Sequence, residues 1–79
     1  MSKLQTLQLI VPDLLEAMKE AFKGTHGSFI LLADLIRRIN RSYPSEIAKA
    51  AIAVAEIRFN RWATDRIYSL DMRDFLRSV

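Results

Sequence analysis

EIAKAAIAVAEIRFNRWATDR, residues 46–66, is the segment from which the fold follows. It contains no glycine or proline, and its apolar residues recur at helical spacing along its whole length. Projected at about 100° per residue, these residues form two stripes, separated by a narrow polar back. The first stripe comprises Ala48, Ala51, Ile52, Ala55, Phe59, Trp62 and Ala63, and the second comprises Ile47, Ala50, Val54 and Ile57. The pattern predicts a central helix over about residues 44–67 that packs on two sides at once.

The segment PDLLEAMKEAFKG, residues 12–24, also predicts a helix. Pro12 suits the first turn, because the amide hydrogen that proline lacks would have no helical partner there. Lys23 complements the negative end of the helix dipole, and Gly24 is a natural left-handed terminator. These signals predict a helix that begins at Pro12 and ends near Gly24.

The residues before Pro12 are ambiguous. Leu4, Leu7 and Val11 fit a helix, whereas Leu7, Leu9 and Val11 fit the alternation of a strand. We favour a short helical arm over residues 1–10.

Two further helices complete the pattern. FILLADLIRRINR, residues 29–41, predicts a helix capped by Ser28, and SLDMRDFLRSV, residues 69–79, predicts one capped by Ser69. The turn at residues 41–45 places Pro44 at the start of the central helix. The expected fold is all-α, a compact bundle of four short helices, or five if the arm is separate. A strand pair over residues 66–70, as in a winged helix, is the alternative.

The composition indicates one helical domain over residues 1–79. A chain this short buries only about 60% of its unfolded surface, so it gains stability from a partner. It has no cysteine, which excludes disulfides and favours a cytoplasmic setting. No secretory signal and no apolar run of the roughly 20 residues needed for a membrane span is present, so no membrane association is expected.

The chain lacks the residue combinations that most enzymes use. His26 is the only histidine, which argues against a metal site or Cys/His catalysis. Ser28, Ser42, Ser45 and Ser69 fall at predicted caps or turns without a neighbouring base, and no glycine-rich phosphate loop is present. We therefore expect no enzymatic activity, no cofactor and no small-molecule substrate.

Basic and aromatic residues are interleaved near the end of the central helix. Phe59 and Trp62 continue the first stripe, among Arg58, Arg61 and Arg66. Tryptophan, tyrosine and arginine dominate the energetics of many protein interfaces. These five residues are therefore the predicted protein interface. The alternative is that the arginines extend to solvent, or pair with acids, where the core ends.

Charge is distributed unevenly, with a net −1 over residues 1–36 and +4 over residues 37–79. This favours two hypotheses. The first is a small helical regulator or adaptor of bacterial or phage type that binds a protein partner, or itself as a homodimer, through the apolar third helix. The second is a DNA-binding transcriptional regulator that contacts nucleic acid around the 41–45 turn through Arg37, Arg38, Arg41 and Lys49.

Overall fold

A computed structural model of the chain describes residues 2–24, 27–64 and 72–79. Within those ranges the chain forms four α-helices and no strand. They are α1 (Lys3–Phe22), α2 (Ser28–Ser42), α3 (Ser45–Thr64) and α4 (Met72–Ser78). The predicted all-α bundle is confirmed. The continuation of the central helix to residue 67, the strand pair at 66–70 and the cap at Ser69 lie outside the described ranges.

The prediction that a helix begins at Pro12 is wrong. Helix α1 starts at Lys3, where the Ser2 hydroxyl accepts a hydrogen bond from the Gln5 amide and the Gln5 side chain accepts one from the Ser2 amide. This reciprocal capping box fixes the start of the helix nine residues before Pro12. Pro12 removes the usual donor to the Gln8 carbonyl, but both residues are exposed, so water can hydrate that carbonyl. Residues 3–22 therefore form one helix.

The two glycines of the first turn have different roles. Gly24 has φ 77° just after α1, which confirms it as the left-handed terminator. Gly27, with φ 81°, is the residue that caps α2, and Ser28 is the buried first residue of the helix. The prediction of Ser28 as the cap is therefore wrong by one position. Only glycine adopts positive φ without strain, so the turn favours Gly27 there.

The first stripe of α3 forms the centre of the bundle. Ala48, Ala51 and Ala55 are fully buried, and Phe59 is 1% exposed. Alanine has almost no side-chain bulk, so it lets the backbones of neighbouring helices approach closely. The buried residues of the other helices complete the same core; the largest of those that are less than 2% exposed are Leu14, Met18, Leu32 and Met72.

Helices α1 and α3 run parallel to each other. At one end the Lys3 ammonium lies 2.6 Å from a Glu46 carboxylate oxygen, and at the other the Phe22 and Phe59 ring centroids are 5.1 Å apart. Helix α2 runs antiparallel to α1, since Leu9 shares a groove with Tyr43. The pair α1–α3 makes the most extensive contact between the described helices.

Helix α4 packs on one side of α3. Met72 is buried, and the Arg73 guanidinium lies 3.5 Å from a Glu56 carboxylate oxygen. The Phe75 ring reaches Phe29 of α2, with ring centroids 5.3 Å apart. Helix α4 therefore covers the side of α3 that carries Glu56 and leaves the opposite side open.

Candidate functional site

The aromatic members of the predicted interface lie mainly inside the bundle. Phe22, Phe59 and Trp62 form one cluster, with ring centroids 5.1 to 5.8 Å apart. The Phe22 ring meets the other two edge to face, the arrangement that aromatic quadrupoles favour. Phe59 is almost completely enclosed, so its side chain offers no surface to a partner. Trp62 is half-buried and retains one accessible side.

A basic side chain covers part of Trp62. The Lys19 ammonium lies 5.4 Å from the centre of the Trp62 ring, and it is also 3.7 Å from a Glu16 carboxylate oxygen. A cation over an indole ring is a favourable contact. Trp62 is therefore held by Lys19 as well as by the rings of Phe22 and Phe59.

The predicted arginines differ in their placement. Arg58 and Arg61 are both exposed on α3, and Arg66 lies outside the described residues. Arg58 lines a groove between α1 and α3. Arg61 is four residues after Ile57 and seven after Val54, so it projects from the same side of the helix as those two residues.

The second stripe of α3 forms an apolar surface that the described helices cover only in part. Ile47, Ala50 and Val54 are partly buried, whereas Ile57 is 55% exposed. Helix α1 extends this surface with Leu7, which is partly buried, and Leu4, which is 64% exposed. We call these residues the α1–α3 face; its members are Leu4, Leu7, Ile47, Ala50, Val54 and Ile57.

A groove of about 430 Å³ runs along the α1–α3 face. Apolar side chains form most of its lining among the described residues, with Gln8 and Arg58 as the polar ones; these lining residues are Leu4, Leu7, Gln8, Val11, Pro12, Val54 and Arg58. The sequence predicts the stripe of α3, but it gives no reason to place Leu4 and Leu7 beside Val54. The i, i+3, i+7 spacing of Leu4, Leu7 and Val11 favours a helix there, but it does not indicate which helix packs beside them.

Charged groups lie at both ends of this face. At the start of α3, Glu46 is exposed and pairs with Lys3. The hydrogen bond from the Lys3 ammonium, together with its positive charge, holds the pKa of the Glu46 carboxyl below its ordinary value of 4.5. At the opposite end are Arg58 and Arg61. The face is thus apolar along its length and bears different charges at its two ends.

The residues of the DNA-binding hypothesis are all exposed, but they do not form one cluster. Arg37, Arg38 and Arg41 lie on α2, where a nitrogen of Arg38 is 3.3 Å from an Asp34 oxygen. Lys49 lies on α3 in a shallow depression shared with Arg73 and Arg77 of α4. Arg37 and Arg41 are one helical turn apart and project in similar directions.

A second apolar surface lies at the start of α2. Phe29 contacts Phe75, whereas Ile30 and Leu31 are 74% and 68% exposed. This surface is shorter than the α1–α3 face, because it spans a single turn of one helix.

In comparisons with protein-family models, curated proteins and solved structures, the chain showed no match. Among residues 2–24, 27–64 and 72–79, no helix is long and apolar enough to cross a membrane. In the same ranges, no group of three or more histidine, cysteine, aspartate or glutamate side chains is placed to hold a metal ion.

Proposed function

We propose that the chain is a small non-enzymatic helical regulator or adaptor that acts by protein–protein binding and associates with itself through the α1–α3 face. The observation that supports this proposal is the second stripe of α3, which is only partly covered and lies beside the exposed Leu4 and the partly buried Leu7 of α1. Apolar side chains aligned along two neighbouring helices form a surface that gains free energy when a partner removes it from water. A domain of this size also benefits from such association.

The position of the arginines supports a protein partner. Arg58 and Arg61 border the α1–α3 face, while Phe59 and Trp62 support its helix from beneath. Arginine at the edge of an apolar patch is typical of protein interfaces, because its stem packs on apolar groups while its guanidinium stays hydrated. The proposed interface therefore consists of the apolar α1–α3 face bordered by Arg58 and Arg61.

Replacing Ile57 by glutamate tests this function. The substitution places an unpaired carboxylate in the proposed interface, and we expect it to weaken self-association by about 2–4 kcal/mol, or roughly 30- to 1,000-fold. Sedimentation equilibrium over a wide concentration range measures the change. Because Ile57 is 55% exposed in one chain, the variant should keep its helical circular dichroism.

The matched control is Ile30→Glu, which makes the same change at a residue that is 74% exposed on α2. This control should associate as the wild type does. A wild-type chain that sediments as a monomer at every concentration would contradict the proposal, as would equal effects of the two substitutions.

A second candidate function is DNA binding around the 41–45 turn. The supporting observation is that Arg37, Arg38, Arg41 and Lys49 are all exposed. If these residues contact phosphates, affinity for duplex DNA should fall steeply with salt concentration. Arg37→Ala combined with Arg41→Ala should weaken binding and lower the slope of log affinity against log salt by about 2.

The control for this experiment removes two positive charges from the opposite end of the bundle, as Lys23→Ala with Arg61→Ala. It should reduce the slope less than the α2 variant. Absence of any duplex binding at ~50 mM salt, where phosphate contacts are strongest, would exclude this candidate.

A further inference from the structure

The dimensions of the molecule restrict how a partner can cover the α1–α3 face. The chain measures 38 × 23 × 18 Å, so its largest side has a projected area on the order of 900 Å². A stable interface buries about 800 Å² on each partner. A partner must therefore lie along most of the length of a side. Helix α3, with 20 residues, supplies such a length.

Charge restricts the orientation of that partner. Arg58 and Arg61 at the C-terminal end of α3 are both exposed. At the N-terminal end, Glu46 pairs with Lys3, and the Glu46 side chain is still 80% exposed. One end of the face is thus strongly positive and the other is close to neutral, with an accessible carboxylate. A surface of this kind is complementary to a copy of itself turned end for end.

We propose that the occupant of the α1–α3 face is a second copy of this chain, related by a two-fold axis near Val54, with the two α3 helices antiparallel. This inference rests on the proposed function and specifies the partner and its orientation. An axis at this point makes the contact self-complementary, as a closed dimer requires. Each Arg61 then lies beside Ile47 of the other copy, one residue from Glu46, which stays paired with Lys3.

The register of α3 agrees with this arrangement. Arg61 lies seven residues after Val54 and Glu46 eight residues before it, so both are about 11 Å from the axis along the helix. In the antiparallel pair these two groups reach the same height. In a parallel pair, Arg58 and Arg61 would instead meet their own copies, and such like-charge contacts are unfavourable.

Two electrostatic effects favour the antiparallel pair: it keeps the arginines of the two copies apart, and it brings Arg61 near Glu46. The first effect is the larger, because Lys3 already pairs with Glu46. The attraction between Arg61 and the Glu46 carboxylate, which Lys3 also contacts, is the smaller effect. Apolar contact along the face supplies the affinity, and charge selects the orientation.

Disulfide cross-linking tests this orientation, because the chain contains no cysteine. Two single-cysteine chains are prepared, Ile47→Cys and Arg61→Cys, and are oxidised separately and as an equal mixture. The antiparallel pair brings position 47 of one copy beside position 61 of the other, whereas two identical positions are about 21 Å apart along the helix. A disulfide requires Cα atoms within about 7 Å.

We expect the mixture to give mainly the mixed disulfide, identified by intact mass, and each chain alone to give little product. Ala50→Cys with Ile57→Cys repeats the test nearer the axis and protects against a folding defect at position 47. Efficient cross-linking of each chain alone would overturn the antiparallel orientation. If Ile30→Cys chains cross-linked and neither of the two pairs did, the choice of the α1–α3 face would be overturned.

Sedimentation of the same chains under reducing conditions separates two kinds of failure. A dimer with the wrong cross-linking pattern contradicts only this inference. A monomer at every concentration contradicts both the inference and self-association itself.

Discussion

Replacing Phe59 by alanine is expected to lower the free energy of unfolding by about 3–5 kcal/mol. Phe59 is 1% exposed and packs against both Phe22 and Trp62, so its removal leaves a cavity between α1 and α3. A domain of this size has a total stability of only about 4–12 kcal/mol. The variant should therefore be partly or largely unfolded, as measured by urea denaturation followed by circular dichroism.

The adjacent residue provides the control. Asn60 is exposed on the polar side of α3, and Asn60→Ala should change stability by no more than about 0.5 kcal/mol. A loss of less than about 1 kcal/mol in the Phe59 variant would contradict the placement of this ring at the centre of the aromatic cluster.

Replacing Ala51 by leucine is expected to destabilise the bundle by about 1–3 kcal/mol or more. Ala51 is fully buried on the first stripe of α3, and a larger side chain can fit only if the helices packed against that stripe move apart. Leucine has a high helix propensity, close to that of alanine, so a loss would report crowding and not a weaker helix. Thermal and urea denaturation give the change.

The control is Ala53→Leu, which introduces the same side chain two residues later at an exposed position. Its stability should stay within about 0.5 kcal/mol of the wild type. Equal losses at the two positions would show that the packing of the first stripe of α3 does not depend on small residues.

Periodicity alone was enough to predict the fold class and the two apolar stripes of α3, one of which holds all the buried residues of that helix. Ala48, Ala51, Ala55 and Phe59 repeat at intervals of three and four residues, and these four are the buried residues of α3. This prediction succeeds for a physical reason. A helix with a stripe of apolar side chains is stabilised when that stripe is removed from water, and the identity of the covering helix does not matter.

The start of the first helix could not be found from proline alone. The rule that proline favours a first turn is correct on average, but it competes with the capping box formed by Ser2 and Gln5. The ring of Pro12 lies on an exposed surface, where water can replace the missing hydrogen bond. Whether proline begins a helix or lies within it therefore depends on how exposed the proline is, and its exposure is set by the tertiary structure.

The candidate site was predicted only in part. Projection of α3 gives two apolar stripes without indicating which of them the other helices cover. Which stripe is covered depends on where α1 and α4 pack. In the structure Phe59 is enclosed, whereas Val54 and Ile57 lie on the open side. Arg58 and Arg61 remain candidates because they are exposed beside that open stripe.

The parallel arrangement of α1 and α3 has a consequence for how the chain folds. The contacts that join these helices connect distant parts of the chain: Lys3 and Glu46 are 43 residues apart. Closing so long a loop has an entropic cost before any alanine of α3 meets α1, and non-local contacts of this kind slow folding. A hairpin of α1 and α2 by itself does not contain α3, the central helix, so it cannot form the core of the bundle. The rate-limiting step should therefore be the docking of α3 onto that hairpin.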